Sequence, residues 1–106
     1  SKFNHYKFAL GLSVEIPENY VLIVAEKSGM ASKFGIMTIG NIIDSTYRGE
    51  IHVIIKNVND NSIFIKKGQK IAQLLLMPCY TGTSITEVEE LTNTRRGDNG
   101  FGSTGI

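Results

Sequence analysis

Cysteine is almost missing from this chain: Cys79 is the only one in 106 residues. A single thiol excludes an intramolecular disulfide framework and fits a reducing compartment. No basic residue adjoins Cys79 in sequence, so it reads as a structural thiol and not a nucleophile. Net charge is also nearly absent. The formal value of +1 gives no whole-chain signal for nucleic acid or a membrane surface. Any anion site must therefore be local. No apolar run is long enough to span a bilayer, and no stretch reads as a secretory signal. Cytosol, nucleus and viral particle all stay open. His5 and His52 stand alone, without partners at metal-ligand spacing, which argues against a zinc site. A Walker A loop, a dinucleotide Gly-x-Gly-x-x-Gly and a local Ser-His-Asp signature are all lacking. A participating metal would be a hard cation held mostly by substrate phosphates and water. No internal repeat is visible.

What is present is enough apolar content, 42%, to fill the core of one domain. The apolar residues fall in short runs between turn signals. Residues 1–8 alternate weakly and read as a strand, continuing extended to Ile16 with Gly11 as a bulge or bend. Pro17-Glu18-Asn19 is a turn. Residues 20–25 form a β-branched run and predict a buried strand. Ser28 is a candidate N-cap for one short helix over 30–34, which Gly35 would end. Gly40-Asn41 between apolar residues is a hairpin signal. Residues 51–58 and 71–77 are strands nearly apolar on both faces. Ile63-Phe64-Ile65 predicts a short strand before a tight turn at Lys66-Lys67-Gly68-Gln69. Ile85, Val88 and Leu91 suggest an edge strand. Many short strands and one helix predict an all-β sandwich or barrel-like fold, small and jelly-roll-like. Two strands apolar on both faces need two covers, one of which could be a neighbouring subunit. A β core over 1–91 and a flexible C-terminal arm over 92–106 are expected.

A few polar groups interrupt this pattern. Asp44 ends an apolar run. If it is desolvated, its pKa rises and it becomes a better base; the alternative is a turn aspartate bonded to its own backbone. Gln73 sits inside an apolar strand and must find partners, as a structural hub or a ligand contact. Tyr47 is a strand-edge packing residue or a substrate platform. Lys27-Ser28-Gly29 is a small anion nest at a helix start. The tail from Thr94 to Gly105 is rich in glycine and lacks apolar periodicity. Such a segment cannot order itself by burial, but it can order around an anion. Arg96 supplies a forked cation, Phe101 a stacking face, and Ser103 and Thr104 hydroxyl donors. Together these residues suit an anionic ligand that carries a ring, such as a nucleotide.

At this point the chain resembles the trimeric dUTPase family, the deoxyuridine triphosphate nucleotidohydrolases. Residues 26–31, Glu-Lys-Ser-Gly-Met-Ala, resemble its second motif. Residues 40–50, Gly-Asn-Ile-Ile-Asp-Ser-Thr-Tyr-Arg-Gly-Glu, resemble the third. Residues 68–74, Gly-Gln-Lys-Ile-Ala-Gln-Leu, resemble the fourth, and Arg96 to Gly105 the fifth. The third and fifth are highly specific. The resemblance implies hydrolysis of dUTP to dUMP and pyrophosphate with Mg2+, in a homotrimer with shared active sites. It implies that Asp44 activates the attacking water. It implies that Tyr47 packs under the deoxyribose and that the segment Gly40, Asn41 and Ile43 reads uracil by backbone. Lys27, Ser28, Gly29 and Gln73 would contact phosphates, with Lys27 where the family usually has arginine. Phe101 would stack on uracil, while Arg96, Gly97, Gly102, Ser103 and Thr104 close over the phosphates. The implied setting is cytoplasmic, or nuclear or virion-associated if the source is viral, with neither nucleic acid nor membrane as partner. The family's first motif, an Ala-Gly-aromatic-Asp-Leu segment, has no counterpart here, so the chain is either a fragment or a natural variant without it. That gap opens a second reading, a non-catalytic nucleotide-binding or regulatory module on the same scaffold. A dCTP deaminase would share the broad fold, but the Phe-Gly-Ser-Thr-Gly tail argues against it.

Overall fold

A computed structural model describes residues 4–80 and 85–102. Its elements are β1 (His5–Ala9), β2 (Tyr20–Glu26), α1 (Ser28–Phe34), β3 (Ile36–Ile39), β4 (Ile42–Ile43), β5 (His52–Asn57) and β6 (Ala72–Pro78). They form two antiparallel three-stranded sheets, ordered β1-β5-β3 and β4-β2-β6. The result is an all-β, jelly-roll-like sandwich with one short helix, and not a closed barrel.

The core follows from strand alternation. On β5, Val53, Ile55 and Asn57 point inward, while His52, Ile54 and Lys56 lie on the other face and are half-buried. Val24 of β2, Met30 of α1 and Ile36 of β3 join Val53 and Ile55 in one buried cluster. Ile16, Leu22 and Ile51 form a second, and Ile51 is fully buried. Each such side chain stabilises the fold by about 1.5–3 kcal/mol through burial.

The expected bulge at Gly11 is present. Leu10 N–H donates to the Ile51 carbonyl at 3.0 Å, and Ile51 N–H donates to the Leu12 carbonyl at 2.8 Å. Gly11 is pushed out between them with φ 75°, a conformation that favours glycine. The Pro17 turn closes through Tyr20 N–H on the Pro17 carbonyl. The turn after Lys66 closes through Gln69 N–H on the Lys66 carbonyl, and Gly68 supplies the positive φ of 81°.

Four expectations are corrected. Ser28 is not the N-cap. Lys27 holds that place with extended φ −87° and ψ 131°, and no side chain caps the helix. Gly35 does end the helix, in the left-handed conformation, with its N–H on the Ala31 carbonyl. Gly40-Asn41 is not a hairpin turn, because β3 pairs with β5 and β4 pairs with β2. The chain crosses there from one sheet to the other, with Gly40 at φ 64°. Ile63-Phe64-Ile65 forms no strand; Ile63 and Ile65 pack on the first core cluster and Phe64 is exposed. Ile85, Val88 and Leu91 form no edge strand and are exposed.

The described segment 85–102 extends away from the sandwich. The radius of gyration is 18.7 Å, whereas a compact chain of this length has about 13 Å. Strand β6 leaves Leu74, Leu75, Leu76 and Met77 exposed. So contiguous an apolar strip is unusual on a monomer.

Candidate functional site

A cleft of about 240 Å³ opens where the chain crosses between the sheets. Gly40, Ile43, Asp44 and Tyr47 line it, as the sequence led us to expect. Lys7 and His52, from the paired strands β1 and β5, and Glu50 complete its polar wall, with Ile42 and Ile54 as apolar surface. Asn41 is not among the lining residues. Its backbone carbonyl accepts from Val24 N–H at 2.8 Å, and its side-chain oxygen is buried without a partner among the described residues.

Asp44 sits at the first position of a turn closed by Tyr47 N–H on its carbonyl, 3.3 Å. Its Oδ1 accepts from both the backbone N–H and the hydroxyl of Thr46. These bonds favour the ionised form. The Thr46 hydroxyl, and then its N–H, hold the Asp44 carboxyl below the ordinary aspartate range. Of the two readings the sequence left open, this is the turn aspartate and not the desolvated one: the side chain is exposed, so desolvation is outweighed. A low pKa makes the carboxylate a weaker base, but one that stays ionised at every physiological pH. The second oxygen, Oδ2, takes no hydrogen bond among the described residues.

Tyr47 is held against its own turn. Its hydroxyl donates to the Glu50 carbonyl at 2.7 Å. Its ring lies so close to Gly49 that a Cβ there would meet the hydroxyl oxygen at 2.6 Å. The Glu50 carbonyl also accepts from, or faces, His52 Nδ1 at 3.0 Å. Arg48 supports the same turn, donating to the Ser45 carbonyl at 2.7 Å.

A second group assembles elsewhere, at the start of α1. The register of β2 and β6 sets Gln73 opposite Ala25. Gln73 Nε2 then donates to the Glu26 carbonyl at 2.9 Å, beside Lys27, Ser28 and Gly29. Ser28 and Gly29 are exposed, and the space about Gly29 is open. Glu26 fixes this corner. Its carboxylate accepts from Thr38 N–H at 3.0 Å, which ties β2 to the other sheet and keeps the carboxyl below the ordinary glutamate range.

The arm is a third group. Arg96 folds onto its own turn, its Nε donating to the Asn99 carbonyl at 2.7 Å. Gly97 has φ 58° and Gly102 φ 103°. Phe101 is fully exposed and has φ 50°, a conformation a bulky residue seldom adopts. Ser103 and Thr104 lie outside the described residues. None of Lys27, Ser28, Gly29, Gln73 or the described arm residues lines the cleft that holds Asp44 and Tyr47.

Sequence reasoning missed Lys7, Glu50 and His52 as cleft-lining residues. Glu50 lies three residues after Tyr47, so the signal was there. Lys7 and His52 could be found only through strand register. Among the described residues no group of three or more His, Cys, Asp or Glu could hold a metal ion, and no helix is long and apolar enough to cross a membrane.

A family model described as dUTPase matches residues 2–105. The deoxyuridine 5'-triphosphate nucleotidohydrolase of Hydrogenobaculum sp. (strain Y04AAS1) is 40% identical over 106 residues, covering 98% of this chain and 73% of that protein. The protein of the same name from Paramecium bursaria Chlorella virus 1 is 44% identical over 96 residues, covering 91% and 67%. Among solved structures, the Staphylococcus bacteriophage 80alpha dUTPase G164S mutant with dUpNHpp matches with a TM-score of 0.76 at 26% identity. That match covers 96% of this chain and 81% of that one.

Proposed function

The chain belongs to the dUTPase family, and on that premise we propose that it hydrolyses dUTP to dUMP and pyrophosphate. The observation that carries the reading is the cleft itself. It joins an ionised carboxylate, Asp44, to a fixed aromatic platform, Tyr47, beside a backbone corner at Gly40 and Ile43. Relatives named as nucleotidohydrolases support catalysis over mere binding.

In this reading Tyr47 packs under the deoxyribose and leaves no room for a 2′-hydroxyl. The backbone from Gly40 to Ile43 reads the uracil edge. Asp44 orients a water molecule through Oδ2 and takes its proton as the oxygen bonds to the α-phosphorus. The bond from the α-phosphorus to the bridging oxygen breaks, and pyrophosphate leaves with that electron pair. Phosphoryl transfer of this kind depends on positioning and charge stabilisation more than on covalent catalysis. Lys27, Ser28, Gly29 and Gln73 contact the phosphates. Lys27 keeps the charge an arginine would bring, but not its forked geometry. Phe101 stacks on the base, while Arg96, Gly97, Gly102, Ser103 and Thr104 close over the phosphates.

The described residues do not build a resident magnesium centre. Mg2+, which the family resemblance implies, would be held mostly by the substrate's phosphates and water and would supply charge neutralisation there.

The three groups lie apart in one chain, and this supports a site shared between subunits. The exposed strip Leu74 to Met77 and the outstretched segment 85–102 support the same view. The family resemblance supports a homotrimer in which the arm, 92–106, closes over a neighbour's cleft. The setting is cytoplasmic.

The test is hydrolysis of dUTP in oxygen-labelled water. Label is expected in dUMP and none in pyrophosphate. Label in pyrophosphate would place attack at the β-phosphorus and remove Asp44 from its role. Mixing an Asp44→Asn variant with an arm-deleted variant should restore part of the activity that each lacks alone; no restoration would contradict shared sites.

A further inference from the structure

Glu50 makes contacts that the proposed reaction does not use. Its carboxylate Oε2 accepts from Gly11 N–H at 2.8 Å. Gly11 offers that N–H because it bulges from the ladder with φ 75°, held by Leu10 and Leu12 on Ile51. The carbonyl of the same Glu50 accepts the Tyr47 hydroxyl at 2.7 Å and lies 3.0 Å from His52 Nδ1. Its other carboxylate oxygen is 4.0 Å from His52 Nε2. One residue therefore joins three segments: the bulge after β1, the turn that carries Asp44 and Tyr47, and the first residue of β5. Gly49 completes the seat, since a side chain there would strike the Tyr47 ring.

From this geometry we infer that Glu50 is a positioning residue that sets sugar selectivity through Tyr47. The carboxylate, anchored on Gly11, fixes the Glu50 backbone. The fixed carbonyl holds the Tyr47 hydroxyl, and Gly49 leaves room for the phenol end of the ring against the turn. A ring fixed at that end cannot yield to a 2′-hydroxyl. A loosened ring can, and it also packs less well on the deoxyribose. The inference rests on the reading of the cleft as a deoxyuridine site.

The experiment measures kcat and KM for dUTP and UTP in Glu50→Ala, Glu50→Gln and Gly49→Ala, with thermal melting to confirm folding. Loss of one such hydrogen bond corresponds to about 3- to 10-fold. Glu50→Ala should raise KM for dUTP by that factor and lower the dUTP-to-UTP ratio of kcat/KM similarly, while kcat for dUTP stays within about 2-fold. Glu50→Gln should recover most of the ratio, because its amide oxygen still accepts from Gly11. Gly49→Ala should give the same signature by unseating the ring directly, and it decides the matter if Glu50→Ala does not fold. A merely structural role for Glu50 would lower activity toward both nucleotides equally and would overturn the inference. A wild-type chain without preference for dUTP over UTP would overturn the reading of the cleft. A preference that survives both Glu50→Ala and Gly49→Ala would overturn this inference alone.

Discussion

Replacing Asp44 by asparagine separates chemistry from architecture at a single atom. Asp44 Oδ1 already serves the fold, accepting from the N–H and hydroxyl of Thr46. An asparagine keeps that oxygen and both bonds. The turn that presents Tyr47 also keeps its Tyr47 N–H to residue 44 carbonyl bond, since that bond is backbone only. What changes is Oδ2, which becomes an amide nitrogen that can neither take a proton nor accept one from water. General-base catalysis is worth about 10²- to 10⁴-fold, so kcat on dUTP should fall by that factor. KM should change little, because Oδ2 meets water and not the nucleotide. Melting should be unaffected, since the side chain is exposed and its fold-supporting bonds survive. Pyrophosphate release under saturating dUTP and magnesium measures the loss. An Asp44→Asn chain that keeps more than about a tenth of wild-type kcat would refute the assignment of Asp44 as base.

Thr46→Val removes the strongest bond that lowers the Asp44 pKa. The ionised carboxylate loses support, its pKa rises, and the acid limb of the kcat profile should move to higher pH. Glu26 also has a lowered pKa in the folded chain, so its contribution to stability is present above the unfolded value, about 4, and lost as pH falls through the folded one. Glu26→Gln should therefore flatten the loss of melting temperature on acidification below about pH 4. Ile51→Ala empties a fully buried site and should cost about 2–5 kcal/mol in denaturant unfolding. Deleting 92–106 should abolish turnover while the circular dichroism of the β core stays intact.

The sequence made some parts of this molecule legible because they depend on local chemistry. The short apolar run over 20–25, rich in β-branched residues, reads as the strand it forms, and Gly35 ends the helix because the left-handed conformation suits no residue better. The misreadings were non-local. Gly-Asn at 40–41 has the composition of a hairpin turn, but whether flanking strands pair is decided by the partners β5 and β2 already offer. Ile63-Phe64-Ile65 has strand character, yet a strand forms only against a ladder, and none of the described strands pairs with it. For Asp44 the sequence offered a desolvated base or a turn aspartate; Ile42 lies exposed beside it, and Thr46 two residues on decides for the turn. Within the site, Asp44, Tyr47, Gly40 and Ile43 were legible because they crowd into one turn. Lys7 and His52 were not, because only the pairing of β1 with β5 brings them to the cleft wall.

The stretch from Arg96 to Gly102 shows the limit most clearly. Its residues name a ring and an anion, but in a single chain they touch neither the cleft nor the Gln73 corner. On the proposed reading, their chemistry becomes a site only when another subunit supplies the rest.

Steady-state turnover of dUTP, UTP, dTTP and dCTP, side by side with magnesium, is the decisive assay for a dUTP-selective cleft. Pyrophosphate is expected from dUTP alone: Tyr47 should refuse the 2′-hydroxyl of UTP, and the backbone at Gly40 to Ile43 the 5-methyl of dTTP and the amino edge of dCTP. Comparable release from UTP or dTTP, or none from dUTP, would contradict it.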